Sequence, residues 1–379
     1  MFKALIVLVF TVNFFVFPPG VFAQAEPIAE FVTPKPHYST GQVIEVLEQQ
    51  ELKYDSETFY LQKLLVRSQA GEESEVIMGT EFQPLSSSQL LKKGDSIVLT
   101  EQITYAGESE NIIADIYRLP IMAWLLLGFF LVVMAVAGFK GLFSIGGMFL
   151  SLVVLGSYVV PQILHGAQPI VVALIGAVAI ASITIYLSHG FKASSHIALV
   201  SILSTLLGVT LLSAWYLSLA ALTGFGSEEA AFLQVGETAS INLQGLLLSG
   251  IMLGALGVLD DITISQVATV FELKRANKKL SFEDLYQRGM RVGKDHVASL
   301  VNTLVLAYAG ANLPLFLLFT LSADTPLWVI LNQQLIAEEV VRTLMGSIGL
   351  VAAVPLSTAL AAYWASNREI SEAAHVHQH

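Results

Sequence analysis

From residue 119 onward the chain is written in long apolar runs separated by short polar breaks. A helix needs about 20 apolar residues to cross a bilayer core of ~30 Å. On that measure the pattern predicts seven spans, at 119–138, 142–164, 168–187, 197–222, 241–271, 297–321 and 339–365. Before residue 119 the period is different. GQVIEVLEQQ, FYLQKLLVRSQ, EVIMGTEF and DSIVLTEQITY alternate apolar and polar positions as strands do. AGEE, KKGD and AGESEN between and after them are turn signals. The predicted fold is therefore an all-α membrane domain of about seven helices over 119–366. A small mainly-β domain, barrel or sandwich, precedes it over 24–118, and a short tail follows at 367–379.

The first 23 residues read as a targeting segment. Lys3 is a short positive start, and Ala4 to Phe17 is an apolar core too short for a span. Pro18, Pro19 and Gly20 break it, and Val21-Phe22-Ala23 fits a small-residue cleavage site. An uncleaved anchor is the alternative. Both readings export the β domain.

Loop charge gives an orientation. With residue 118 outside, the inner loops hold Lys140, Lys192, the stretch 272–294 and Arg368. That stretch carries seven bases, from Lys274 to Lys294, against Glu272, Glu283 and Asp284. The outer loops between spans carry Glu228, Glu229, Glu237 and Asp324 and no Lys or Arg. The bias of basic residues toward the inside predicts a multi-pass membrane protein with a cytoplasmic C-terminus.

Composition agrees and excludes several functions. Of the 379 residues 54% are hydrophobic and only 13% charged, half the charged share of a soluble domain. Residues 24–118 concentrate 16 of the 30 acids against 7 of the 19 bases, which marks them as the soluble part. The chain has no cysteine, so disulfides and thiolate chemistry are excluded. A net charge of −11 argues against nucleic acid as a partner. No metal or cofactor pattern is present; a histidine-bearing tail (His375, His377, His379) reads as a polar end.

The candidate chemistry lies in the last three spans. Asp260 and Asp261 are the only charges between Ile241 and Phe271. An aspartate at a bilayer centre costs about 2.5–3.5 kcal/mol on insertion scales. Residues 241–271 would run roughly 46 Å as a helix, which implies tilt, an extension or a break. Gly310-Ala311-Asn312-Leu313-Pro314 and the set Gly346, Gly349 and Pro355 interrupt the next two runs. Such interruptions predict a polar, water-accessible region. Helical spacing puts Gly250, Gly254, Gly257, Asp261 and Ser265 on one face, small enough for close helix packing. Asp261 is thereby expected to point into protein. Asp295, Ser299 and Asn302 align likewise, while Gly346 and Gly349 are packing positions below an ion pair of Arg342 with Glu338 or Glu339. Counted from Ile241, Asp260 falls near the inner face; counted back from Phe271, it falls near mid-membrane.

Three blocks carry a family resemblance: GALGVLDDITISQVATVFEL, VGKDHVASLVNTLVLAYAGANLPL and EEVVRTLMGSIGLVAAVPLSTALAA. With the preceding β-like motifs GQVIEVLE and KKGDSIVL, they resemble the YibE/F family of bacterial polytopic membrane proteins. Members commonly carry a single Asp after the Gly-Ala-rich run; this chain carries two. The resemblance implies fold and topology, and no activity or substrate.

Function is therefore an expectation from physics. An ion-coupled transporter or permease would bind a small ion or solute at Asp260, Asp261, Asn302 or Asp295, gated by Glu338, Glu339 and Arg342. A non-transporting scaffold or sensor, contacting an envelope or membrane protein through the exported β domain, is the alternative. An intramembrane aspartyl enzyme is disfavoured, because adjacent residues on a helix point about 100° apart; the expectation is no catalytic residue.

Overall fold

The computed structural model describes residues 37–367, apart from 55–56, 81, 104–108, 236–239, 315 and 318–324. The predicted targeting segment, Glu237, Asp324, Arg368 and the histidine-bearing tail lie outside the described residues, as does part of the AGESEN turn. The chain divides into two units, the first ending at Leu126.

The N-terminal unit is one antiparallel sheet of five strands. These are β1 (Tyr38–Tyr54), β2 (Glu57–Ser68), β3 (Glu73–Met78), β4 (Ser96–Ile103) and β5 (Ser109–Ile116), in the order β3-β2-β1-β4-β5. The inward positions form a core of Val43, Leu64, Val66, Val76, Leu91, Ile97 and Leu99. Two register shifts in β1, around Glu45 and Glu48, bend the strand, because an unpaired residue increases local twist. The sheet curls until its edge strands meet: Asn111 Nδ2 donates to Ser74 Oγ at 3.4 Å. The predicted KKGD turn is present. Gly94 takes φ 96°, a left-handed backbone open to glycine, and Lys92 N–H donates to Asp95 Oδ2 at 2.7 Å. Buried Gln62 bonds both backbone groups of Leu91, at 2.9 and 3.1 Å, and so pins the crossing loop.

The second unit is helical. Helix α1 (Leu119–Val154) continues through a π-helical turn at Leu155–Val159 into α2 (Val160–Leu164). After these come α3 (Pro169–His189), α4 (Ala193–Leu219), α5 (Glu228–Phe232), α6 (Leu243–Ala276), α7 (Phe282–Ala311), α8 (Leu327–Leu331) and α9 (Gln334–Asn367). Among the described residues five helical runs are long and apolar enough to cross a membrane: Leu119–Leu164, Pro169–His189, Ala193–Leu219, Leu243–Ala276 and Gln334–Asn367. The first contains a break at Gly138 (φ 57°, ψ −145°), at the predicted boundary between the first two spans. The predicted span 297–321 is not among the five, and some of its residues lie outside the described ones.

Helices α3, α4, α6 and α9 form the core, with Ile202, Leu206, Met252, Leu259 and Leu350 fully buried between them. Lipid supplies no hydrophobic drive between helices, so close approach at small residues does more. A Cβ on Gly349 of α9 would come 2.8 Å from Val209 Cγ2 of α4, and Gly346 is also buried.

Two expectations about continuity are corrected. The run 241–271 is not broken: α6 is an unbroken helix of 34 residues. Isolated glycines do not break it, since each keeps its backbone hydrogen bond. Likewise α9 runs through Pro355. Only the Gly310–Pro314 segment ends a helix, at Asn312. The basic stretch 272–294 is also not a loop. Helix α6 extends to Ala276 and α7 begins at Phe282. Ser281 caps α7 by accepting from Asp284 N–H, Asp284 accepts in return from Ser281 N–H, and Lys274 Nζ closes the turn on Leu280 O at 2.9 Å. Arg275, Arg288, Arg291 and Lys294 sit on exposed helix faces, and Lys278 and Lys279 on the short turn between.

Candidate functional site

Helix α6 organises the candidate residues, because its two faces meet different surroundings. One face is polar and sealed. Gln266 is fully buried and its Nε2 donates to Gly289 O of α7 and to Thr358 Oγ1 of α9, each at 2.7 Å. Gly289 and Gly293 make room for that amide. A Cβ on Gly293 would lie 2.4 Å from Val354 Cγ1 and 3.0 Å from Gln266 Nε2. One glutamine thus ties three helices together. Its signal in the sequence is an amide in an otherwise apolar stretch.

The other face is the glycine strip. Gly254, Gly257, Asp261 and Ser265 are exposed, and a Cβ on Gly257 would meet nothing within 4 Å. The expectation that this strip packs closely against another helix is corrected for Gly257. Leu300, Val301 and Leu304 of α7 pack against the core. At the N-terminal end of the strip Arg342 and Tyr308 lean over it. Arg342 Nη1 would lie 3.6 Å from a Cβ on Gly250, and the Tyr308 hydroxyl 3.6 Å from one on Gly254.

The expectation that Asp261 points into protein is corrected. Asp261 is exposed, whereas Asp260 is half-buried. Asp260 turns toward α3, where the Thr184 hydroxyl approaches its carboxyl. Thr184 Oγ1 also donates to Ala181 O within its own helix, and Asp260 Oδ1 is left buried without a hydrogen-bond partner. The 100° step between neighbours on a helix is the reason: once the glycine face opens outward, the adjacent residue turns in.

The acid pair on α9 divides in the same manner. Glu338 is buried and does not pair with Arg342. Its Oε1 accepts from Gly224 N–H at 3.0 Å and from Gln334 Nε2 at 2.7 Å, so it clamps the segment after α4. A Cβ on Gly226 would lie 2.5 Å from its Oε2. Glu339 is the partner of Arg342, 3.3 Å from Nε. Glu339 Oε1 also accepts from Asn312 Nδ2 at 3.1 Å. Asn312, within the Gly310–Pro314 interruption, therefore joins the end of α7 to the ion pair.

Asp295, Asn302, His296 and Ser299 are exposed on α7. They do not face Asp260 or Asp261; the inward face of α7 is the apolar one, Val297, Leu300, Val301 and Leu304. Among the described residues no group of three or more His, Asp or Glu is placed to hold a metal ion.

A curled β unit followed by a core of membrane-length apolar helices defines an integral membrane protein. Residues 125–367 match the family described as YibE/F-like protein, and the chain belongs to that family. No curated protein and no solved structure matches it.

Proposed function

We propose that the chain is an ion-coupled transporter or permease of the bacterial cytoplasmic membrane. The observation that carries this reading is Asp260, a half-buried carboxylate with one oxygen unpartnered, on the helix that also exposes the glycine strip. An acid kept inside a membrane segment without a cationic partner is a functional feature by default. In this reading Asp260 takes a proton or small cation, and Asp261 stands at the open strip as a second acceptor. Arg342 and Glu339 lie about 15 Å further along α6, ten helical residues away, and act as the gate. Glu338 is a structural clamp and is set aside from the gate.

The reading includes seven crossings. The break at Gly138 divides Leu119–Leu164 into two, and the segment 297–321 supplies a further one. It also includes export of the β unit and a cytoplasmic C-terminus, supported by the charge bias of the connecting segments. The test is proton flux in proteoliposomes loaded with a pH-sensitive dye. If Asp260→Asn and Asp261→Asn both leave flux unchanged, the reading is wrong.

A second reading is a non-transporting scaffold or envelope sensor. Its supporting observation is the β unit, a five-stranded sheet with a core of its own. Deletion of 24–115 separates the two. A transport core keeps flux without the β unit, and a sensor loses its phenotype.

A further inference from the structure

Between α3 and α4 the chain turns through Gly190, Phe191 and Lys192. The turn is held from both sides. Phe191 stacks on Tyr186 with ring centres 4.3 Å apart, and the Tyr186 hydroxyl lies 2.7 Å from His196 Nδ1. Behind it lies a cavity of about 50 Å³, lined on its polar side by His189, Ser194 and Ser195 and closed by Ile185, Ile264 and Val267.

Ser195 is 3% exposed, lines this cavity, and its hydroxyl has no hydrogen-bond partner. Elsewhere on α4 buried hydroxyls bond the carbonyl one turn back, as Ser201 does to Ile197 O and Thr205 to Ser201 O. Ser195 sits in the first turn of the helix, where that choice is missing. The first N–H groups of α4 are in the same position. Lys192 at the cap offers no side-chain acceptor to them. A helix start carries partial positive charge and favours anions. Lys192 and Lys140 both act electrostatically on His189, and no acid lines the cavity.

We propose that this cavity binds a phosphate-class oxyanion, either free phosphate or the phosphate of a lipid headgroup. Hydroxyl donors, helix N–H groups and nearby lysines match an acceptor-rich anion. One water needs about 10–15 Å³ of such space, so the cavity has room for a few waters. This admits a small oxyanion and rejects a bulky organic solute; of a lipid, only the phosphate group would enter. Ile264, which lines the cavity, stands one helical turn from Asp260; the inference does not rest on the transport reading.

The test uses the full chain, delipidated in a maltoside detergent. Inorganic phosphate is titrated while thermal unfolding and phosphorus NMR line width are followed, and native mass spectrometry records retained phospholipid. Wild type is expected to gain thermal stability and broaden the phosphate line at millimolar concentration, with Ser195→Ala weakening apparent affinity about tenfold. If phosphate has no effect but one bound phospholipid is retained by wild type and lost by Ser195→Ala, the oxyanion is a headgroup and the proposal stands. Should Ser195→Ala not fold, exposed Lys192→Gln carries the same comparison. If neither phosphate nor phospholipid distinguishes wild type from the variants, the cavity holds only water and the proposal falls.

Discussion

Gln266 Nε2 of α6 stands 2.7 Å from the Thr358 hydroxyl of α9, and the same nitrogen reaches Gly289 O of α7. This contact joins the three helices that hold the aspartates, the Glu338–Glu339 pair and Arg342. It is also the place where a substitution tests packing without touching a carboxylate.

Gln266→Leu removes both bonds and leaves Gly289 O and Thr358 Oγ1 to find other partners. Loss of a buried partner costs about 1–3 kcal/mol. A lower midpoint of thermal unfolding in detergent is expected. Thr358→Val should be milder, and the double-mutant coupling near 0.6 kcal/mol, the average for such bonds inside membranes.

Two glycines on neighbouring helices should respond in opposite ways. Gly293→Ala drives a methyl to 2.4 Å from Val354 Cγ1 and toward the Gln266 amide; overpacking of this kind costs about 1–3 kcal/mol. Gly257→Ala meets nothing within 4 Å and gains the helical preference of alanine, about 0.5–1 kcal/mol. Unfolding curves of the two variants should bracket that of the wild type.

If Asp260 carries the coupling ion, Asp260→Asn lowers proton-coupled flux about tenfold or more, as a functional intramembrane acid requires. Exposed Asp261→Asn should lower it less. Dye-reported flux in proteoliposomes ranks the two. An equal and complete loss in both would mean that the pair acts as a unit.

Asp284 links α7 to pH. The Ser281 hydroxyl, then the Ser281 backbone N–H, donate to its carboxylate and hold it below the usual aspartate value of 3.8. A depressed carboxylate stabilises the fold above its unfolded pKa and loses that stabilisation as pH falls through the folded value. Hydrogen exchange in the first turn of α7 is therefore expected to be slow at neutral pH and to rise, relative to intrinsic rates, only below about pH 4. Ser281→Ala should raise it at neutral pH as well.

The outline of this fold was legible because period and length are strong signals. Strand alternation marked β1, β2, β3 and β4, and KKGD marked the turn that Gly94 makes. Apolar runs located α3, α4, α6 and α9 to within a few residues. Strand β5 was missed, since SENIIADI begins in a polar stretch that reads as turn. The basic segment 272–294 was read as loop because charge was weighed above helical capping. At the site, spacing identified the glycine strip but not which way it faces. A helix face lined by small residues fits a packed seam and an open strip equally well. Only the neighbours, α7 and α9, decide between them, and through them which aspartate is half-buried. Spacing left Glu338 and Glu339 both open as partners of Arg342, and the partner is Glu339. Glu338 was drawn off by Gly224, a backbone group that side-chain spacing does not reveal.

The connection between α6 and α7 has a mechanical consequence. Only residues 277–281 join them, and a five-residue tether reaches at most ~18 Å when taut. Lys274 and Ser281 hold it well short of that. At 34 residues, α6 is a stiff rod of about 51 Å. A tilt or slide of α7 must therefore drag the near end of that rod. With Asp260 close to mid-length and Gly250 beyond it, a small swing at the tether would be felt at Arg342 as leverage, with the acid near the fulcrum.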